Sequence, residues 1–229
     1  MKDLLRETLL LARKDFLSLY RAPGGLTSCL IFSLMLAVVS SFAVRYAGMQ
    51  RMELISVGGG LVWLVFLFSA LVFINQLTLI EREQGAVNAL LLSRISRESI
   101  FLSKYLVCFV SLALTSLFSL CLLGLFFGFQ FASVLLPISV VCFLGASGVS
   151  SIGILLSMIS TQSEARDILF PVILFPLILP LLAGCVSLSR ELLLGGNINF
   201  SDFWLVCICV YDVIAFTAGL VLFEHTVWD

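Results

Sequence analysis

The sequence predicts an all-α integral membrane protein, and three observations carry that prediction. The chain is 61% apolar and only 12% charged, against ~25% charged in a soluble domain, which leaves too few polar side chains to cover a water-facing surface. Its apolar residues fall into long uncharged runs rather than alternating strips of about ten residues, the mark of spanning helices and not of a lipid-exposed barrel. The stretches between the runs are too short to fold as a soluble catalytic domain. A net charge of −1 with no basic patch sets nucleic acid aside as a partner.

The first 21 residues mix Lys2, Arg6, Arg13, Lys14 and Arg21 with Leu4, Leu5, Leu9, Leu10, Phe16 and Leu17. Too charged to span and too apolar for a free tail, segment 1–21 reads as an amphipathic helix lying on the lipid bilayer. The run that follows, 22–44, is longer than a signal-peptide core and has no clear small-residue cleavage site after it, so it is expected to stay as the first span. Five more spans are predicted at 54–80, 105–129, 132–160, 168–186 and 203–223, each near or above the ~20 residues that cross a ~30 Å hydrocarbon core. Residues 22–229 thus form one six-span transmembrane domain, with the third and fourth spans joined almost directly at Gln130 and Phe131.

Orientation follows from Lys and Arg, since acidic residues contribute little to topology. Ten of the 13 basic residues lie on the side shared by the N-terminus, the 81–104 loop, the 161–167 loop and the C-terminus. Both termini are therefore expected in the cytoplasm.

Four features could carry chemistry. Between spans two and three, Glu81, Glu83, Arg94 and Arg97 flank Leu90, Leu91 and Leu92, and Gly85 gives the chain freedom to turn out of span two. Such a segment is either a solvated loop resting on headgroups or a docking surface with an apolar anchor and a charged rim. Span five carries Pro171, Pro176 and Pro180, each of which removes a backbone N–H, so a kink or break is expected there; the prolines serve packing or a mobile, cavity-lining element. Arg166 and Asp167 precede it as anchors. Asp212 lies nine residues into span six, ~14 Å deep at 1.5 Å per residue, where an acid is costly enough to count as a functional candidate. No Lys or Arg shares its depth, so it is expected to be protonated, bonded to a Ser or Thr of a neighbouring helix, or wetted by a cavity.

The fourth feature is Gly145-Ala146-Ser147-Gly148 in span four together with His225, the one histidine. It has the outline of a rhomboid-type intramembrane serine protease, but the two side chains differ in depth by ~10 Å, and a serine and its base must approach within ~3 Å. Close helix packing accounts for the small residues more simply, as it does for Gly124-x-x-x-Gly128. The seven cysteines form no paired framework and read as small hydrophobes; Cys207-x-Cys209 points its thiols ~200° apart on a helix, which does not suit a metal. The chain contains no G-x-x-x-x-G-K-[ST] phosphate loop, so ATP-driven work requires another chain.

At this point the residues resemble a known family. Three stretches are similar to the haem exporter protein B (CcmB) family, the small permease of the cytochrome c maturation ABC transporter, within the ABC-2 class. They are Glu83-x-Gly85 through Leu90-Leu91-Leu92-Ser93 to Phe101-Leu102-Ser103-Lys104; Arg166-x-x-Leu169-x-Pro171-x-x-x-x-Pro176-x-x-x-Pro180; and Tyr211-Asp212-Val213 followed by Leu222-Phe223-Glu224. The proline spacing after an arginine is the most specific of them. Where the family commonly has Pro after the Leu-Ser of the loop, this chain has Arg94.

The resemblance implies a non-catalytic subunit that pairs with a cytoplasmic ATPase (CcmA-like). It implies further partners, the haem-handling membrane protein CcmC, the small subunit CcmD and the haem chaperone CcmE, and a cytoplasmic (inner) membrane; a homodimer of this chain is a separate expectation. The resemblance places ATP on the partner, leaves haem open as cargo of the complex, and assigns this chain no bound cofactor or metal; one histidine rules out a bis-His haem site within one chain. On this reading 81–98 is the ATPase-coupling loop. An ABC-2 permease for another substrate shares the architecture.

Overall fold

The computed structural model describes residues 2–21, 25–83, 96–128, 134–160, 166–196 and 202–226. They form seven helices: α1 (Lys2–Arg21), α2 (Gly25–Tyr46), α3 (Arg51–Glu83), α4 (Arg97–Phe127), α5 (Leu135–Ser160), α6 (Arg166–Leu193) and α7 (Phe203–Thr226). Helices α2 to α7 are each long and apolar enough to cross a membrane, so this is a six-span protein with an amphipathic helix before its first span.

Helix α5 is the most buried of the six and packs against α3, α4, α6 and α7. Small residues let it take that place. A Cβ on Gly145 would collide with the Trp63 ring of α3, and one on Gly153 would fall 2.5 Å from Ile74 Cδ1. Large side chains on α3 thereby seat in notches on α5, the arrangement by which helices gain van der Waals contact where lipid offers no hydrophobic drive. Trp63, Phe66, Phe73, Phe101, Leu112, Phe170 and Leu174 are fully buried in the resulting core. Helix α2 joins the bundle through polar contacts: Ser33 and Ser119 hydroxyls lie 2.9 Å apart, and the Cys29 thiol donates to the Ser69 carbonyl at 3.2 Å.

The helix ends differ from the expected spans, and the differences have physical causes. Helix α4 starts at Arg97, well before 105. Ser96 caps it by accepting from the Ser99 N–H at 3.4 Å, and Ile100, Phe101, Ser103 and Lys104 are already buried. Lys104, expected in the loop, is 3% exposed inside a helix. At its other end Gly128 adopts φ 67° and donates to Gly124 O at 2.9 Å. The Gly124-x-x-x-Gly128 pair is thus a left-handed helix terminator at its second glycine, not a packing motif throughout.

Helix α6 continues through Pro171, Pro176 and Pro180 and on to Leu193, beyond the expected 186. The expected break does not occur. Within lipid no water replaces a lost backbone bond, so the remaining bonds keep the helix whole, and a neighbour supports the proline region: the Tyr211 hydroxyl donates to Leu177 O at 2.9 Å.

Helix α1 lies along the first half of α4. The Ser99 hydroxyl reaches Leu4 O at 3.5 Å and Glu7 Oε2 at 3.3 Å. Thr8, Leu11 and Leu19, at helical spacing, form its buried stripe.

Candidate functional site

A tyrosine, a serine and an aspartate come together where α4, α5 and α7 meet. Ser147 stands at the centre. Its hydroxyl lies 3.0 Å from the Tyr105 hydroxyl of α4, and it is the hydrogen-bonding neighbour of the Asp212 carboxyl group of α7. Gly148, the next residue, makes room for that carboxyl: a Cβ there would fall 2.5 Å from Asp212 Oδ1 and 2.6 Å from Leu181 Cδ2. The two halves of Ser147-Gly148 therefore serve the same acid, one as a partner and one as a vacancy.

Aromatic rings close the cluster on the α4 and α7 sides. Tyr105 stacks between Phe101 and Phe109, its neighbours one turn away, at centroid distances of 6.4 and 5.9 Å, and meets Phe216 edge-on at 5.0 Å. Asp212, Phe216, Gly219 and Phe223 recur at i, i+4, i+7 and i+11, so one stripe of α7 carries the acid, two rings and a notch. Phe101 occupies that notch, 2.5 Å from where a Gly219 Cβ would be.

Asp212 Oδ1 is buried without a hydrogen-bond partner among the described residues, and Asp212 makes no ion pair among them. A buried oxygen left in this state costs free energy of about 1–3 kcal/mol, so the site holds an acceptor ready for a donor. The arrangement can bind a proton or a polar group at Oδ1 and can couple three helices through a chain of two hydroxyls and a carboxyl.

The other predicted residues fall elsewhere. Glu81 and Glu83 occupy the last turn of α3, and Arg97 is the first residue of α4. Gly85, Leu90, Leu91, Leu92 and Arg94 lie outside the described residues. Arg166 opens α6, and Pro176 and Pro180, four residues apart, share an outward face of that helix.

The protease reading fails on distance. Asp212 sits beside Ser147, and His225 lies 13 residues farther along the same helix, ~20 Å away at 1.5 Å per residue. A serine without its histidine in reach is not the nucleophile of a serine–histidine protease.

Tyr105 was not anticipated, because the sequence places it at a span boundary. Ser147 enters the sequence reading through the Gly145–Gly148 stretch, and Asp212 as an acid expected to be protonated, bonded to a Ser or Thr of a neighbouring helix, or wetted by a cavity. A usable signal did exist, since Ser147 is 12 residues into α5 and Asp212 nine into α7, two helices that run in the same direction through the membrane and so carry both groups at similar depth. A second polar link joins α3 to α6: the Trp63 Nε1–H donates to Ser189 Oγ at 2.9 Å. Gly59 sharpens this contact, since a Cβ there would lie 3.1 Å from the Arg190 backbone nitrogen.

The sequence model described as CcmB protein matches residues 6–224, a range that includes every described helix in whole or nearly so. A relative named heme exporter protein B, from Bradyrhizobium diazoefficiens, is 22% identical over 197 residues, covering 86% of this chain and 87% of its own length. With a family match across nearly the full length and six membrane spans beneath it, this chain belongs to the CcmB family.

Proposed function

We propose that this chain is the membrane subunit of an ABC transporter complex for cytochrome c biogenesis, in which a separate ATPase subunit supplies the energy. The observation that carries the reading is the family match over residues 6–224, which takes in all six spans together with the segment between α3 and α4; the relative's name, heme exporter protein B, points to haem delivery or to release of a haem-loaded chaperone as the output. Both termini face the cytoplasm, and the membrane is the cytoplasmic one.

Coupling runs through 81–98. That segment joins the ends of α3 and α4, two helices in contact along the bundle, so a push on it displaces both. Helix α4 carries Tyr105, whose hydroxyl meets Ser147 of α5, and Ser147 meets Asp212 of α7. A displacement of α4 therefore reaches α5 and α7 through this chain of polar groups. The CcmA-like ATPase docks on Leu90, Leu91 and Leu92 with Glu81, Glu83, Arg94 and Arg97 as rim. CcmC-like and CcmD-like subunits, a CcmE-like chaperone and a second permease chain complete the assembly. ATP stays on the partner, haem is cargo, and this chain holds no cofactor.

Replacing Leu91 by Glu tests the reading. Protein level and membrane insertion are expected to be unchanged, ATPase copurification from mild detergent to fall, and cytochrome c maturation to stop. Unchanged ATPase association across Leu90, Leu91 and Leu92 substitutions would return 81–98 to a loop resting on headgroups. Normal cytochrome c in a strain lacking this chain would assign the permease another substrate.

A further inference from the structure

Helix α1 has two apolar stripes, and only one of them is used. Thr8, Leu11 and Leu19 are buried in the fold. Leu9, Phe16 and Leu17 recur at i, i+7 and i+8 on another side and are exposed, as are Leu106 and Val110 of α4 beside them. Together these side chains line an open groove of about 610 Å³ between the two helices, with Arg13 on its wall. Its size is that of a small-molecule site.

Arg13 is exposed and makes no hydrogen bond or ion pair among the described residues, while the neighbouring Lys14 pairs with Asp15 at 3.7 Å. Helix α1 carries five basic residues against three acidic ones. An uncommitted guanidinium above a long apolar wall, on a basic helix that adjoins the start of a membrane span, has the chemistry of one ligand class: an anion attached to a hydrocarbon chain.

We propose that the groove between α1 and α4 binds an anionic phospholipid, with an acyl chain along Leu9, Phe16, Leu17, Leu106 and Val110 and the headgroup phosphate on Arg13. The bound lipid fills the space between the amphipathic helix and the span it leans on, so it fixes α1 against α4. This site is separate from the Tyr105–Ser147–Asp212 cluster and does not depend on the transported substrate.

The test is native mass spectrometry of the full-length protein, extracted in mild detergent and exchanged with phosphatidylglycerol or phosphatidylcholine. Wild-type protein is expected to retain phosphatidylglycerol over phosphatidylcholine, and Arg13→Gln to lose that retention about fivefold, the scale of one basic residue at an anionic surface. Lys14→Gln, with the same charge change one position away and outside the groove, is expected to retain it within about twofold. Val110→Trp, which fills the groove and leaves Arg13 in place, is expected to reduce retention as well. Equal losses in Arg13→Gln and Lys14→Gln would overturn the site in favour of general surface attraction. Equal retention of the two lipids, or a lipid-free dimer in which Val110→Trp breaks the association, would overturn it in favour of a non-specific annulus or a second copy of the chain.

Discussion

The hydroxyls of Tyr105 and Ser147 lie 3.0 Å apart where α4 packs against α5. An interhelical bond of this kind contributes a modest ~0.6 kcal/mol to holding α4 against α5. Asp212 adds the third helix to the same point.

The identity of the acid separates two roles for this cluster. Asp212→Asn keeps the size and the hydrogen bonding, and is expected to leave protein level and cytochrome c assembly intact if the carboxyl only joins helices. Asp212→Leu removes the Ser147 partner and presses a branched side chain toward Gly148, and should cost about 1–3 kcal/mol of stability. Thermal unfolding in detergent and the yield of cytochrome c measure the two effects. Normal Asp212→Asn protein with lost assembly would show that the proton or charge itself is used.

The glycines of α5 should respond in proportion to what fills their notches. Gly148→Ala places a methyl 2.5 Å from Asp212 Oδ1, and Gly145→Ala drives one into the Trp63 ring; each is expected to destabilise by about 1–3 kcal/mol. Gly60→Ala is the comparison, because its Cβ meets nothing closer than Val186 Cγ1 at 4.0 Å. That substitution is expected to be neutral or slightly stabilising, as Ala is the better helix former. Equal melting points for all three variants would deny close packing its role in seating α5.

What the sequence disclosed and what it concealed divide along physical lines. Six spans and an amphipathic first helix were legible because the hydrocarbon core demands long apolar runs and α1 has the opposite makeup. Helix ends were less so. Arg97 to Lys104 reads as polar loop because hydropathy cannot know that Ser103 and Lys104 are buried. Asp212 was visible from its cost alone, but its partners depend on which helices touch, and nothing in a single sequence states that Tyr105 and Ser147 share a neighbour. The prolines do not break α6, since the penalty for opening backbone bonds to lipid favours a continuous helix.

The Trp63–Ser189 bond should behave as an interhelical pair within the bundle. Trp63→Phe and Ser189→Ala each remove one partner of the 2.9 Å bond, and the double variant should cost less than the sum of the two, with a coupling of about 0.6 kcal/mol. Additive losses in unfolding experiments would mean that Trp63 acts through its volume in the Gly145 notch and that the indole N–H adds nothing.

Topology gives the last test, and the structure changes how it must be made. The ten-to-three split of Lys and Arg predicts a cytoplasmic α3–α4 connection and an α6–α7 connection outside. Ser189 reads from sequence as part of that outer connection, yet it lies in α6, 1% exposed and bonded to Trp63, so a cysteine there would be silent from either side. Leu194, in the turn after α6 and 50% exposed, is the position to probe, with Glu98 at the exposed start of α4 for the opposite face. Of the native cysteines, Cys207 near the beginning of α7 and the exposed Cys209 are first replaced by serine to lower the background. In intact cells an impermeant maleimide is expected to label Leu194→Cys and leave Glu98→Cys untouched until the membrane is opened. Labelling of Glu98→Cys alone would invert the protein and put 81–98 out of reach of any cytoplasmic ATPase.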